Sequence, residues 1–595
     1  MKSFFVFFLI FLAQGLFAQS FLPPLMPWKG KSEGLILNSK DLWITPTEKS
    51  KFVHTPDYNQ TMDWLAKLCQ TSTLLEMRTI GQSPEGRAIQ MVVASTDSDR
   101  SPNALSTSTK PLFLVQAGIH SGEIDGKDAG LMLLRDIAVK GKAYLLKEVN
   151  LLFIPILNVD GHERSSSFNR PNQRGPANMG WRTNSQNLNL NRDYSKLDTK
   201  EIRAVLEVIN TYDPDLYMDI HVTDGADYQY DITYSFVGSH GHSPASFQWL
   251  DSIYRPGINA GLKAMGHVPG PFLNATNGRD FSEGNSEFSL GPNFSNSYGD
   301  LRHLPSILVE NHSLKPYKQR VLGTYVLLEE SIKLLAHEQN SLFKSIEKDR
   351  VRRDDLIPIE WKPGTYVKDS LLLLGIHAET RTSEISGGRF VAWLGKPETK
   401  KVPFYKMDQA SKFLSRPKGY WIPASYTEVL ERLKLHGIKI KVIEKPIEAE
   451  LEMYRILEPV FSKKPFEGRI QVGGKPNLEV HKVKLPAGSA WVSVDQPLGD
   501  LAMVLLEPGA AESFLQWGFF HSIFQRTEYA EDYFMEPMAK QMLENSPALK
   551  AEFEAKKKSD PVFANNPEAI LNWFYSKSPY FDPNYLLYPI GRVLK

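Results

Sequence analysis

The stretch that decides the fold is Pro111-Leu112-Phe113-Leu114-Val115-Gln116-Ala117-Gly118-Ile119-His120-Ser121-Gly122-Glu123. An apolar run of strand length ends in glycine. It then delivers a histidine and a carboxylate just before a helical pattern over 129–139. Runs that stay apolar at successive positions suit strands covered on both faces, because neither side-chain direction meets water. Similar runs recur at 89–94, 149–157, 216–220 and 306–309, with apolar spacing suited to helices at 61–71 and 200–210. Strands alternating with helices predict an α/β domain over 51–340, its sheet covered by helices on both faces.

Outward from this core the chain changes character. Residues 19–50 form a Pro-rich lead-in with weak structural signals, and 347–353 is a charged stretch suited to joining domains. Beyond it, 341–595 carries short candidate strands at 388–394, 438–443, 468–472 and 480–485, broken by Pro and Gly, then a tail richer in helical and aromatic patterns. This half reads as a mixed, β-rich accessory region without a catalytic cluster. Within it, 551–558 reads as a charged, solvated helix face.

The extreme N-terminus reads as an export signal. Lys2 precedes an apolar run over 4–12, and Ala18 supplies a small residue at the expected cut, giving a signal peptide over 1–18. That run is shorter than the roughly 20 residues a membrane-spanning helix needs, so no stable membrane insertion is expected after cleavage. The expected location is periplasmic or extracellular. Cys69 is the only cysteine among 595 residues, which removes an internal disulfide. It sits on an apolar helical face and reads as a core residue, which disfavours a cysteine hydrolase. Lys and Arg number 69 against 68 Asp and Glu, so no basic field exists to gather nucleic acid.

The chemistry gathers where the apolar runs end. His120 and Glu123 follow the first, Asn158-Val159-Asp160-Gly161 follows 149–157, His221 follows 216–220 and Glu310 follows 306–309. A His and an acid three apart are common by chance; their position gives them weight, since open α/β sheets bind ligands at the carboxyl ends of their strands. His120, Glu123 and His221 would give zinc three protein ligands and leave a fourth position open, the arrangement of a catalytic site. Glu310 is then the candidate base for a water proton. Arg182 and Arg192, in Asn-rich loop sequence, could steady an oxyanion or pair with a carboxylate.

These pieces, with Gly81-Gln82-Ser83-Pro84-Glu85-Gly86-Arg87, Trp181-Arg182, Asn191-Arg192, Ile220-His221 and Val309-Glu310, resemble the zinc carboxypeptidase family of metallopeptidases in their order along about 230 residues. The second half resembles, more loosely, accessory regions of large bacterial members. The resemblance implies a mixed sheet of about eight strands flanked by helices. It implies one zinc per chain on His120, Glu123 and His221, with Glu310 as general base. It also implies Arg182 at the oxyanion, and Asn191 and Arg192 on the terminal carboxylate of a peptide substrate. Two departures stand out: Gly122 replaces an Arg found in digestive-type members, and Asn189 stands where some members carry an Asp behind the first zinc histidine. A substrate-capping tyrosine is not assignable, and Tyr298 reads as packing. The expected activity is an exported zinc metallocarboxypeptidase. The alternatives are a zinc amide hydrolase acting on cell-wall muropeptides and a peptide- or glycan-binding protein on a retired peptidase scaffold.

Overall fold

The computed structural model describes residues 21–277, 280–286, 291–364 and 366–594, so the signal expected over 1–18 lies outside the described residues. The apolar runs form one eight-stranded sheet. Its strands are β1 (Leu75–Gln82), β2 (Ala88–Ala94), β3 (Leu112–Ala117), β4 (Asn150–Ile154), β5 (Leu216–Val222), β6 (Ile232–Ser235), β7 (Pro269–Pro271) and β8 (Ser306–Asn311). They lie in the order β1-β2-β4-β3-β5-β8-β6-β7. The central β4-β3-β5-β8 block is parallel, while β2 against β4 and β6 against β8 run antiparallel, so the sheet is mixed.

Every residue of β3, β4 and β5 is buried, which is why their sequences stay apolar at successive positions. Period-two alternation then sorts them between two cores. Phe113, Val115, Phe153, Met218 and Ile220 face the cluster that holds helices α1 (Tyr58–Thr71), α2 (Asp125–Val139) and α4 (Tyr317–Arg350). Leu112, Leu114, Leu152, Ile154 and Tyr217 face the other, which holds helix α3 (Lys200–Tyr212). Burying a side chain of this size contributes roughly 1.5–3 kcal/mol.

One buried polar knot fixes the sheet's carboxyl edge. The Arg320 guanidinium of α4 donates to both Asp125 carboxylate oxygens (2.9 and 3.2 Å) and to the carbonyls of Arg174, Gly175, Ser313 and Lys315. Asn311, at the end of β8, donates to Asp125 at 3.1 Å. The start of α2, the end of β8 and the 174–175 loop are therefore held by one fully satisfied cation.

Several expectations change in detail. The charged stretch over 347–353 does not join domains as a linker. Helix α4 runs across position 340 to Arg350, and its last-turn Lys348 and Arg350 complement the helix dipole. The lead-in, weak in structural signals as a sequence, is packed against the domain: Glu48 accepts from Arg135 at 2.5 Å in a fully buried pair. Cys69 is half-buried against the core, and burial pushes its thiol up to about 11. Tyr298 is buried and hydrogen-bonds His436 at 2.8 Å, so it packs as the sequence suggests.

The C-terminal half is β-rich, with two-, four- and six-stranded sheets. The four-stranded sheet joins the hairpin Tyr366–Thr382 and Arg389–Tyr405 to strands Asp280–Ser286 and Asn274–Asn277 of the first half. The strand expected at 388–394 extends to Tyr405, and that at 438–443 shrinks to Lys441–Val442. The candidate at 468–472 is a turn; the strand begins at Val472 and continues to Leu485, absorbing 480–485. It pairs along most of Ile447–Phe461 while facing water over much of its length, so apolar content does not mark its ends. Residues 551–558 lie on the mostly exposed helix Pro547–Ser559. Among the described residues, no helix is long and apolar enough to cross a membrane.

Candidate metal centre

His120 and Glu123 stand on the turn between β3 and α2, and His221 stands near the end of β5, the neighbouring parallel strand. Among the described residues, His120, Glu123 and His221 are the buried group whose His and carboxylate atoms converge closely enough to hold a metal ion. Nδ1 of His120 lies 3.1 Å from Glu123 Oε1, Nδ1 of His221 lies 3.0 Å from Oε2, and the two Nδ1 atoms are 3.2 Å apart. Ligands of a tetrahedral zinc with bonds near 2.1 Å stand about 3.4 Å from one another, so the spacing suits that ion.

The protons decide what fits. Nε2 of His221 lies 2.8 Å from the Asp219 carboxylate, an acceptor, so it carries the hydrogen. Nε2 of His120 lies 2.9 Å from Asn189 Oδ1, and that oxygen already accepts the Asn191 backbone N–H at 3.1 Å, which fixes the amide's orientation. With Nε2 of each ring engaged outward, both Nδ1 atoms point inward at the Glu123 carboxylate. A divalent cation would displace any proton between them and be held by both Nδ1 lone pairs and the carboxylate, with the outward hydrogen bonds fixing the rings. Without one, burial pulls the His120 imidazole down to about 4. His221 is held above the ordinary range because Asp219 and Glu123 outweigh the effect of its own burial.

The quoted motifs position this centre. Asp160 accepts from Ser83 (2.7 Å), Arg87 (2.7 Å) and Ser185 (2.9 Å), tying the 81–87 turn to the loop after β4. The Asn158 carbonyl accepts from the Ser121 hydroxyl at 2.5 Å, and its side-chain amide donates to the Arg182 carbonyl at 3.3 Å. The chain before Arg182 comes so close to the histidine turn that a Cβ on Gly180 would sit 2.6 Å from the Ser121 carbonyl. Arg182 reaches Glu123 at 3.3 Å while remaining 41% exposed at its side chain.

Glu310 is in register with His221 across the β5/β8 ladder, so both side chains leave the same face about 4.8 Å apart. Burial pushes its carboxyl up to about 8. Glu123 and Asp224 raise it further, while His221 and Arg170 oppose the shift. Arg192 stacks on Phe294, its guanidinium carbon 3.8 Å from the ring centre, and donates to the Asn191 carbonyl at 2.6 Å. Burial and the nearby Arg182 charge lower it, while Glu467, Glu512 and Glu310 oppose them, so these charges share one neighbourhood. Asn191 is buried behind the histidines: its Oδ1 accepts the Ser295 N–H at 2.9 Å and its Nδ2 lies 3.4 Å from His221 Nε2. A separate cavity of about 560 Å³ between the two halves is lined by Phe236, Phe247, Trp361 and Phe404, but by none of these residues.

Two participants escaped the sequence reading. Asp219 carried a usable signal, since Asp-Ile-His on a strand puts the first and third side chains on one face. Arg170 carried none. Its side chain lies over Gly122, where a Cβ would fall 2.3 Å from Arg170 Cδ, and it donates to Glu123 at 2.7 Å. The cation absent from position 122 thus arrives from a loop 48 residues on.

Residues 61–289 match the family model described as zinc carboxypeptidase. The matched segment holds His120, Glu123 and His221 and is similar to zinc carboxypeptidases. The chain is similar to Carboxypeptidase 2 of Trichophyton rubrum, 23% identical over 492 residues covering 78% of this chain and 84% of the relative. Carboxypeptidase 2 of Trichophyton equinum is 22% identical with the same coverage. Among solved structures, the metallo-carboxypeptidase from Pseudomonas aeruginosa aligns with a TM-score of 0.35 at 16% identity, over 47% of this chain and 69% of that chain. The match to zinc carboxypeptidases supports a peptide hydrolase, and together with the His-Glu-His cluster it implies zinc.

Proposed function

We propose that the protein is an exported carboxypeptidase that removes C-terminal residues from peptides bearing a free carboxylate. The observation that carries this reading is the convergence of His120 Nδ1, His221 Nδ1 and the Glu123 carboxylate to 3.0–3.2 Å of one another, beside the Glu310 carboxyl. His120 Nδ1, His221 Nδ1 and the Glu123 carboxylate would hold the zinc. A divalent cation bound there polarises a peptide carbonyl and makes water more acidic.

The protein's own groups do the rest. Glu310 takes the proton of the attacking water and passes it to the departing amine. Its raised pKa suits both directions of transfer near neutrality. Arg182, partly exposed beside Glu123, donates to the oxyanion that develops on the carbonyl. Arg192 keeps N–H donors beyond the one given to Asn191, and a planar fork held flat on Phe294 presents them to a carboxylate. Asn191 supports this grip from behind through its carbonyl. Export rests on the N-terminal pattern, and free-acid peptides are the substrate.

The test uses matched peptides ending in a free acid or an amide, assayed with the wild type and Arg192→Ala. The wild type should cleave only the free acid, and Arg192→Ala should lose most of that activity through KM. Equal cleavage of both peptides by the wild type overturns the exopeptidase reading.

A further inference from the structure

The two histidines are oriented by the segment over 189–192: Asn189 accepts from His120, and Asn191 lies behind His221. This segment is held from outside the catalytic half. The backbone N–H of Asn189 donates to Glu467 Oε2 at 2.8 Å, across 278 positions of sequence. Glu467 occupies the tip of a tight turn. Phe466 and Arg469 exchange backbone hydrogen bonds (2.9 and 3.1 Å), while Glu467 and Gly468 between them take φ of 48° and 79°. That is the left-handed geometry of a two-residue hairpin turn, in which a non-glycine residue is strained.

The tip is anchored on each side. Arg469 forks onto both Asp198 oxygens, each at 2.7 Å, and Phe466 stacks on Trp517 with 6.0 Å between ring centres. Trp517 lies beneath the Lys196 ammonium, 5.5 Å from its ring centre. The arrangement holds an acidic residue in an unfavourable backbone conformation at the point where it meets Asn189.

We propose that Glu467 is a positioning residue for the metal centre. The C-terminal half sets metal affinity by fixing Asn189, and through it the His120 ring. This rests on the zinc reading above. The Asn189 N–H, held by a carboxylate, keeps its own side-chain oxygen aimed at His120 Nε2. That contact keeps the Nδ1 lone pair on the ligand side. Without the anchor, the backbone of 189–192 loses its outer support, and the amide it carries, with the imidazole it orients, is held less firmly.

The experiment measures Zn²⁺ affinity of the full-length chain, stripped with a chelator and titrated in competition with a chromophoric chelator. Visible spectra of the Co²⁺-substituted protein serve as a second readout. Glu467→Gly removes the carboxylate at a φ that glycine favours, so the hairpin keeps its turn and metal-free thermal unfolding should not fall. Zinc affinity should drop about 10-fold, the low end for such outer-sphere contacts, and the Co²⁺ spectrum should change. Glu467→Gln, which retains an acceptor oxygen, should restore most of the affinity. Unchanged zinc affinity and an unchanged Co²⁺ spectrum in Glu467→Gly overturn the proposal while leaving the zinc reading intact. A wild type that binds neither ion overturns both.

Discussion

Strand β3 and the long strand Val472–Leu485 are both well-formed elements, yet they obey different rules. All of β3 is buried, whereas most of Val472–Leu485 is exposed or half-exposed. The first is held by dry contact on two faces and changes to polar chemistry only where it emerges at the sheet edge. The second is held by a ladder to Ile447–Phe461 and by the anchors of the turn that joins them. Sequence therefore marks the ends of the first sharply. The second is specified by pairing partners and turn geometry, which no local window displays.

Substitutions can break or sharpen this contrast. The largest effect belongs to the edge of the dry sheet. Glu310→Gln should lower kcat by about 10²–10⁴-fold with zinc content unchanged, measured by steady-state kinetics alongside metal analysis. Next is the knot beneath that edge. Arg320→Ala leaves Asp125 buried without its cation and should cost about 3–5 kcal/mol in denaturant unfolding.

A middle effect tests the support of the second histidine. Asp219→Asn should weaken zinc binding about 10–100-fold in chelator competition, since an amide accepts less strongly from His221. The pH profile sharpens the role of Glu310. Its working form is ionised, so kcat/KM should rise with pH on the acid side, about tenfold per unit below the controlling pKa. A bound cation favours the carboxylate, so the midpoint should fall below the value of about 8 set by burial. Glu310→Gln should remove that limb from any residual rate. At the small end, Lys475→Ala severs an exposed pair with Glu458 on the long hairpin and should shift unfolding by no more than about 0.5 kcal/mol.

What was legible follows the same division. The β3, β5 and β8 runs end in His120, His221 and Glu310, because a strand buried on both faces has no other reason to carry polar groups. The ladder then fixes which of those groups are neighbours. Arg170 was hidden because its place over Gly122 depends on the path of a loop. Glu467 was hidden more deeply. Its partner Asn189 lies in the other half of the chain, and an exposed Glu-Gly turn looks like any surface turn. The boundary at 340 cuts helix α4, because the charge at 347–353 looks like a joining stretch, although Arg350 pairs with Asp213 at 2.6 Å.

The strands Asp280–Ser286 and Asn274–Asn277 complete a sheet whose other members end at Tyr405. A nascent chain therefore cannot finish that layer until more than a hundred further residues have left the ribosome. Trimming the gene after α4 would remove the edge against which Asn285 and Ser286 lie. A shortened version should emerge as a sticky intermediate rather than a compact enzyme.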